Sequence, residues 1–307
     1  MSAVPKLSVV VVAYDMAREL PRTLQTLSAS FQRDIAADDY EVIVVDNGSA
    51  TPADEALCRR LCPNAMFHTL ADAPPSPVAA INHGLAQARG ALVGVCIDGA
   101  RMLSPRLLAT ALDAARLHPR PVIGTLAFHL GPDVQSRSMA KGYNQQVEDA
   151  LLASVDWVAD GYQLFSIATF ASSSADGWFT IPAETNALFL SREHWQALGG
   201  YDPAFVAPGG GLVNLDTWAR ACADPTGRVI LLLGEATFHQ VHGGIATNSP
   251  VSKWQQFHDE YVRVRGTRYV RPDGMPTLLG RIHPSALPSV QASAQRGPKR
   301  QAAGTQA

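Results

Sequence analysis

The stretch "LSVVVVAYDMARELPRTLQTL", Leu7 to Leu27, decides how the rest of the chain is read. It opens on a short, β-branched and wholly apolar run, the pattern of a strand covered on both faces. Leu20, Leu24 and Leu27, with Phe31 beyond them, then recur at helical spacing. A buried strand feeding straight into an amphipathic helix is half of a βα unit, and the alternation continues. "YEVIVVD" (40–46) repeats the strand pattern, and "TPADEALCRRLC" (51–62) opens a helix with Thr51 as its expected N-cap and Pro52 at its first position. "AMFHTL" (65–70) predicts a third strand, and "PVAAINHGLAQARG" (77–90) a helix closed by Gly90. "ALVGVCID" (91–98) gives a fourth strand, and "SPRLLATALDAARLHP" (104–119) a helix capped by Ser104 with Pro105 at its first position. Strands alternating with helices predict an α/β protein whose mainly parallel central sheet is flanked by helices.

From about Leu126 the alternation stops. The first half of "KGYNQQVEDALLASVDWVADGYQLF" (141–165) reads as a helix, "ETNALFLS" (184–191) as a strand and "REHWQALGG" (192–200) as a short helix. A glycine-rich loop, "APGGGL" (207–212), precedes a helix at "NLDTWARACA" (214–223) and a strand at "RVILLLG" (228–234). "PVSKWQQFHDEYVRVRG" (250–266) predicts a closing helix. Residues 285–307, rich in Ala, Ser, Gln, Pro and Gly without periodicity, predict a disordered tail.

The 307 residues suffice for a large core, and 47% hydrophobic against 17% charged residues is ordinary for a globular chain. A formal net charge of −2 carries no polybasic signal, which argues against nucleic acid and anionic membrane as partners. No apolar run approaches the ~20 residues of a membrane helix, so no integral membrane segment is expected. The opening residues go directly into a strand, which predicts no cleaved signal peptide. Four cysteines lack the second pair that a zinc site needs, and read as reduced thiols of a cytoplasmic protein.

In an open parallel sheet, ligands bind beyond the carboxyl ends of the strands. Three polar clusters fall there: Ala13-Tyr14-Asp15, Asp46-Asn47-Gly48-Ser49 and Asp98-Gly99-Ala100-Arg101. None sits in a dinucleotide or P-loop pattern. A single aspartate at a strand end is commonly a turn cap; carboxylates ending two strands of one sheet argue for a site.

Four stretches in order now carry a resemblance: Leu7–Leu27, "YEVIVVDNGS" (40–49), "AINHGLAQARGALVGVCIDGARMLSP" (80–105) and "NALFLSREHWQALGGYDPAF" (186–205). Together they resemble the landmarks of family-2 glycosyltransferases over about residues 7 to 222. The resemblance implies the nucleotide-diphospho-sugar transferase (GT-A) fold and a nucleotide-diphosphate sugar as donor, a UDP-sugar favoured. It divides the chain into a nucleotide-sugar-binding, Rossmann-like half (1–125) and an acceptor and catalytic half (126–284) of one domain. Asp46 matches the acid that hydrogen-bonds the base, with Ala13, Tyr14 and Asp15 in the same pocket. Asn82 and Gly84 match the helix turn beside the nucleotide, and Asp98, with Gly99 and Arg101, the start of the D-x-D metal motif. Glu184 and Asn186 lie where hydroxyls of the donor sugar are expected. Trp157, Tyr162, Trp178 and Phe179 are either acceptor-stacking rings or ordinary core aromatics.

Two departures from the family pattern matter. Ala100 stands where the second metal-binding acid is usual and has no ligand atom. In "GGGLVNLDTWAR" the usual acid pair, which includes the general base, is replaced by Val213 and Asn214, and an amide cannot take a proton usefully near neutral pH. Asp216 is the nearest carboxylate left and the candidate base for an inverting transfer; its other reading is an acid favoured by the helix dipole. For the metal, Asp98 with His239 and His242 could hold Mn2+ or Mg2+. The rival has Arg101 or the amides of Gly243 and Gly244 neutralising the diphosphate instead.

The expected activity is thus glycosyl transfer to a hydroxyl of a glycan, lipid-linked or small-molecule acceptor. A lipid-linked acceptor would require a peripheral position at the inner face of the membrane. The alternative is a GT-A-fold protein that binds nucleotide or glycan with little or no turnover.

Overall fold

Every residue of the first strand is buried, and its side chains divide between two cores exactly as a period of two requires, so the sheet must be covered on both sides. Val10 and Val12 join Ile43, Val45, Ile81, Val93 and Val95 on one face. Leu7, Val9 and Val11 join Leu20, Leu24, Val42 and Val44 on the other. The computed structural model describes residues 4–243 and 253–304. In chain order its elements begin β1 (Leu7–Ala13), α1 (Glu19–Leu27), β2 (Tyr40–Asp46), α2 (Glu55–Leu61), β3 (Ala65–Thr69) and α3 (Val78–Gln87). There follow β4 (Leu92–Cys96), β5 (Arg101–Leu103), α4 (Leu107–Ala114), β6 (Pro121–Leu130), α5 (Gln135–Met139), α6 (Gln145–Ala153) and β7 (Ala168–Phe170). The chain continues through β8 (Ala187–Ser191), α7 (Arg192–Leu198), α8 (Val213–Cys222), β9 (Arg228–His239), α9 (Trp254–Arg265), β10 (Thr277–Gly280) and α10 (Leu287–Gly304).

The strands form one sheet in the order β10-β9-β6-β8-β4-β1-β2-β3, with β5 added to β9 and β7 to β6. Pairing is parallel from β4 through β1 and β2 to β3, and again among β6, β9 and β10. The antiparallel strand β8 joins these two parallel groups. The expected α/β architecture, mostly parallel and flanked by helices, is therefore present.

Close helix-to-sheet approach depends on two glycines. A Cβ on Gly84 would lie 2.4 Å from Val10 Cγ1, so α3 rests directly on β1. A Cβ on Gly90 would lie 2.6 Å from the backbone nitrogen of Ser8, so Gly90 serves backbone approach and does not close α3, which ends at Gln87. The two expected N-caps also move. Asp54 caps α2 by accepting from the Leu57 amide, because the helix starts later than Thr51 and Pro52 imply. α4 starts at Leu107, and the Ser104 hydroxyl is drawn instead to Glu235.

The disordered tail expected over 285–307 is corrected by α10, which docks on the domain. Ala286, Val290 and Ser293 are buried, and Gly177 leaves the room that Ser293 fills. Small residues allow this approach without the large apolar periodicity that marks a helix in sequence. Residues 305–307 lie outside the described residues.

Glu235, fully buried on β9, accepts from the hydroxyls of Ser104 (2.5 Å) and Tyr162 (2.6 Å) and from the Arg106 amide (3.2 Å). Burial outweighs these donors and raises its pKa to about 7. Between its unfolded value near 4.5 and about 7, the folded protein holds a proton that the unfolded chain has lost. This contribution to stability is thus complete below the unfolded pKa and lost as pH rises through the folded one. Urea unfolding of Glu235→Gln should lack this decline, which is about 3 kcal/mol at most in the native protein. Equal slopes for both proteins between pH 4.5 and 8 would show that Glu235 ionises normally.

Candidate functional site

The site is built at the carboxyl edge of β1, β2 and β4. Ala13 and Asp46 end their strands in register, and the Asn47 amide donates to Ala13 carbonyl oxygen at 2.8 Å. Asp46 Oδ1 accepts from the Ser49 amide (2.7 Å), Ser49 Oγ accepts from the Asp15 amide (2.8 Å), and Asp15 Oδ1 accepts from the Thr51 amide (2.9 Å). Asp15 adopts φ +50°, a conformation that aspartate tolerates better than most residues. These bonds lock the loops after β1 and β2 into one wall. Tyr14, which follows Ala13, is 52% exposed. Asp46 therefore does cap a turn, with one oxygen only.

Asp98 lies two residues beyond Cys96, which pairs with Val11, and so reaches the same edge. Its Oδ1 accepts from the Ala100 amide and its Oδ2 from Arg101 Nε, both at 3.0 Å. Gly99 lets this turn press on β1: an added Cβ would lie 3.3 Å from that of Ala13. Ala100 is fully buried in the apolar cluster beside Leu20 and Leu103. A carboxylate at that position would be desolvated without a partner, which accounts for the missing second acid.

Strand β9 brings the late histidines to Asp98. Arg101 on β5 and His129 on β6 both pair with His239, the last residue of β9. His239 Nε2 lies 3.1 Å from His242 Nε2 and 3.7 Å from Asp98 Oδ2. The potential ligand atoms of Asp98, His239 and His242 all fall within 4.8 Å of one another. Gln135 Oε1 lies 2.7 Å from His239 Nδ1, and as an acceptor it assigns the proton to Nδ1, leaving the Nε2 lone pair facing the cluster. The backbone N–H of Gln135 in turn donates to His129 Nδ1 at 2.8 Å. Burial first, then Arg101 and His242, pushes the His239 pKa well below its ordinary value, which keeps the ring in its neutral, ligating form. Burial and Arg101 likewise lower His129 to about 4.

His242 is positioned through its neighbour. Glu148 Oε2 accepts from the Val241 amide (2.7 Å), and Arg18 donates to the Val241 carbonyl (3.2 Å) and to Glu148 Oε1 (3.2 Å). Burial raises the Glu148 pKa against the opposing pull of these donors. Arg101 Nη1 is buried with no hydrogen-bond partner among the described residues. Gly243 is exposed, whereas Gly244 lies outside the described residues.

The opposite wall comes from β8, whose first residue, Ala187, pairs with Cys96. The Ile97 amide donates to the Asn186 carbonyl at 3.3 Å, which puts Glu184, Thr185 and Asn186 beside the Asp98 turn. Asn214, near the start of α8, donates from Nδ2 to Glu184 Oε2 (2.9 Å) and the Thr185 carbonyl (3.0 Å), with Asn186 Oδ1 at 3.5 Å. Its Oδ1 accepts from the Tyr201 hydroxyl at 3.1 Å. Asn214 thus joins Glu184 and Asn186, about 30 positions earlier in the chain, in one cluster.

Other sequence-based assignments are corrected. Asp216 is 1% exposed, and Arg265 donates to both its oxygens (2.6 and 2.7 Å) while Arg220 adds a third bond (2.8 Å). Both oxygens are thus engaged in a buried bridge to two guanidinium groups, the opposite of the open carboxylate that a general base needs. Asn82 spends its amide on the Tyr201 backbone, donating at 2.7 Å and accepting at 3.0 Å, so it braces the loop after α7. Gly84 faces Val10. Trp157, Tyr162 and Trp178 are core residues: Trp157 packs on Phe31, and Trp178 Nε1 donates to the Leu232 carbonyl. Phe179 is partly buried against the same core. Sequence reasoning missed Gln135, Arg18 and Glu148, which lie in the irregular half or on a helix flank and carry no motif.

The family described as Glycosyl transferase family 2 matches residues 8–154. No curated protein matches the chain. Among solved structures, S. aureus TarS 1–349 in complex with UDP-GlcNAc is similar, with a TM-score of 0.54 and 17% identity over 84% of this chain and 65% of that one. TarS 1–349 without that ligand gives a TM-score of 0.52 and 14% identity over 85% and 74% of the two chains. The mannosyltransferase PcManGT from Pyrobaculum calidifontis, in complex with GDP-Man and Mn2+, gives 0.51 and 17% over 98% and 74%. At these identities the likeness shows a shared GT-A fold.

Proposed function

Because residues 8–154 form a glycosyl transferase family 2 domain, we propose that the chain transfers a glycosyl unit from a nucleotide-diphosphate sugar, foremost a UDP-sugar, to an acceptor hydroxyl with inversion. One observation carries this reading: Asp98, His239 and His242 converge at the strand edge that also carries Asp46. The bound UDP-GlcNAc of TarS and GDP-Man of PcManGT support a nucleotide-sugar donor on this fold. Tyr14, Asp15 and Asp46 bind the base and ribose end, and Asn186 lies toward the donor sugar. The donor side lies in residues 1–125 and the acceptor side in 126–284.

The carboxylate and two imidazoles, one held neutral and oriented by Gln135, fit Mn2+ better than Mg2+, which prefers an all-oxygen shell. Such an ion, when bound, neutralises charge on the diphosphate leaving group. Asp98, His239 and His242 are the residues that would hold it. Arg101, with its unengaged Nη1, adds a fixed cationic donor on the same side. Rate acceleration comes from holding donor and acceptor in line and stabilising the departing diphosphate. The acceptor is a glycan, lipid-linked or small molecule. No helix among the described residues is long and apolar enough to cross a membrane, so a lipid-linked acceptor would be met at the surface.

The test is nucleoside diphosphate release from a panel of UDP-, GDP- and dTDP-sugars, with and without chelator. Release from a UDP-sugar, reduced at least about tenfold by chelation and restored by Mn2+, is the expected result. Failure of every donor rejects the transferase reading, and an unchanged rate in chelator rejects the metal.

A further inference from the structure

The family pattern places an acid where this chain has Asn214, and the structure puts a different acid against it. We infer that Glu184 is the general base that takes the proton of the acceptor hydroxyl, with Asn214 as its positioning residue. This rests on the transferase reading above. Asn214 Nδ2 holds Glu184 Oε2 at 2.9 Å, and the Tyr201 hydroxyl, donating to Asn214 Oδ1, turns the amide so that its N–H groups face the carboxylate. Glu184 is half-buried, and its Oε1 has no hydrogen-bond partner among the described residues, so one oxygen is fixed and the other is free. The Ile97–Asn186 backbone bond sets the segment that carries Glu184 against the segment that carries Asp98.

The competing acids are occupied elsewhere. Asp216 is sealed by Arg220 and Arg265. Asp98 is paired with Arg101 and faces the two histidines. Glu148 and Glu235 are fully buried and bind backbone amides and hydroxyls of the core. Glu184 forms no ion pair among the described residues, so no guanidinium has to be displaced before it accepts a proton.

The step balances simply. As the acceptor oxygen bonds to the anomeric carbon, its proton passes to Glu184 Oε1. The bond from that carbon to the diphosphate oxygen breaks, and its electron pair leaves with the nucleoside diphosphate. Relative to the family arrangement, the carboxylate has moved from the start of α8 to the segment before β8, and the amide left behind aims it.

The experiment measures UDP release from a UDP-sugar with water as acceptor, and UDP affinity by calorimetry. Glu184→Gln should lower turnover about a hundredfold and leave UDP affinity within about twofold. Adding Asn214→Asp to that variant should recover at least about tenfold, because it returns a carboxylate to the same cluster. If Glu184→Gln does not fold, Glu184→Asp should bind UDP within about twofold of the native protein and lose about tenfold in turnover. The inference is overturned if Glu184→Gln stays within about threefold of the native rate, or if its rate and UDP affinity fall in parallel. A native protein that releases no UDP overturns the donor reading, and this assignment with it.

Discussion

Asp98→Asn lowers turnover about a thousandfold, close to 4 kcal/mol of transition-state stabilisation, and abolishes Mn2+ binding measured without any donor. Ligand count sets both effects. The cluster holds one anionic ligand and two imidazoles, and Ala100 contributes none, so Asp98 carries all the negative charge that the protein offers a cation there. Asparagine keeps an oxygen for the Ala100 amide, which preserves the turn. It loses the charge that also balances the buried Arg101. Paramagnetic resonance of free Mn2+ reads the first effect and UDP release the second. Native-like Mn2+ binding by this variant would remove Asp98 from the ligand set. Ala100→Asp should not compensate, because its side chain would enter the apolar cluster rather than the cleft.

Asp216→Asn destabilises the fold by about 2–3 kcal/mol after allowance for solvent screening of the two arginines, and leaves turnover per folded molecule within about twofold. Asp216 is nearly inaccessible, whereas Arg220 and Arg265 are about a quarter exposed (26% and 25%) and recover some hydration when the carboxylate is lost. Asparagine offers one acceptor where the native side chain serves three guanidinium bonds, and it turns a donor toward a cation. The bridge also ties α9 to α8, and Arg265 extends it to Asp202 at 2.8 Å. Denaturant midpoint and specific activity separate the two effects. A large loss of turnover with unchanged stability would restore Asp216 as the base.

These two residues show why only part of the site was legible in the sequence. Asp98 follows an unbroken apolar strand, so its place at a sheet edge is a local property. Asp216 carries the same local signals as a catalytic acid, namely a glycine-rich loop before it and a helix after it. Its fate depends on Arg265, 49 positions away on a helix that packs across it. Glu184 is the converse case. It read as a donor contact because nothing nearby in sequence reveals Asn214 as its partner. Asn82 and Gly84 matched a landmark, yet one braces Tyr201 and the other makes room for Val10.

The amino-acid sequence by itself determined the β1-to-β4 half of the sheet, because hydrophobic period and helix spacing are written in neighbouring residues and dictate burial directly. It also determined that Asp46, Asp98 and the histidine pair deserved to be read together. Only the tertiary structure decided the chemistry of each acid. Whether a carboxylate meets a guanidinium, an imidazole, an amide or open cleft depends on chain segments dozens of residues apart, and long-range packing is what brings them together.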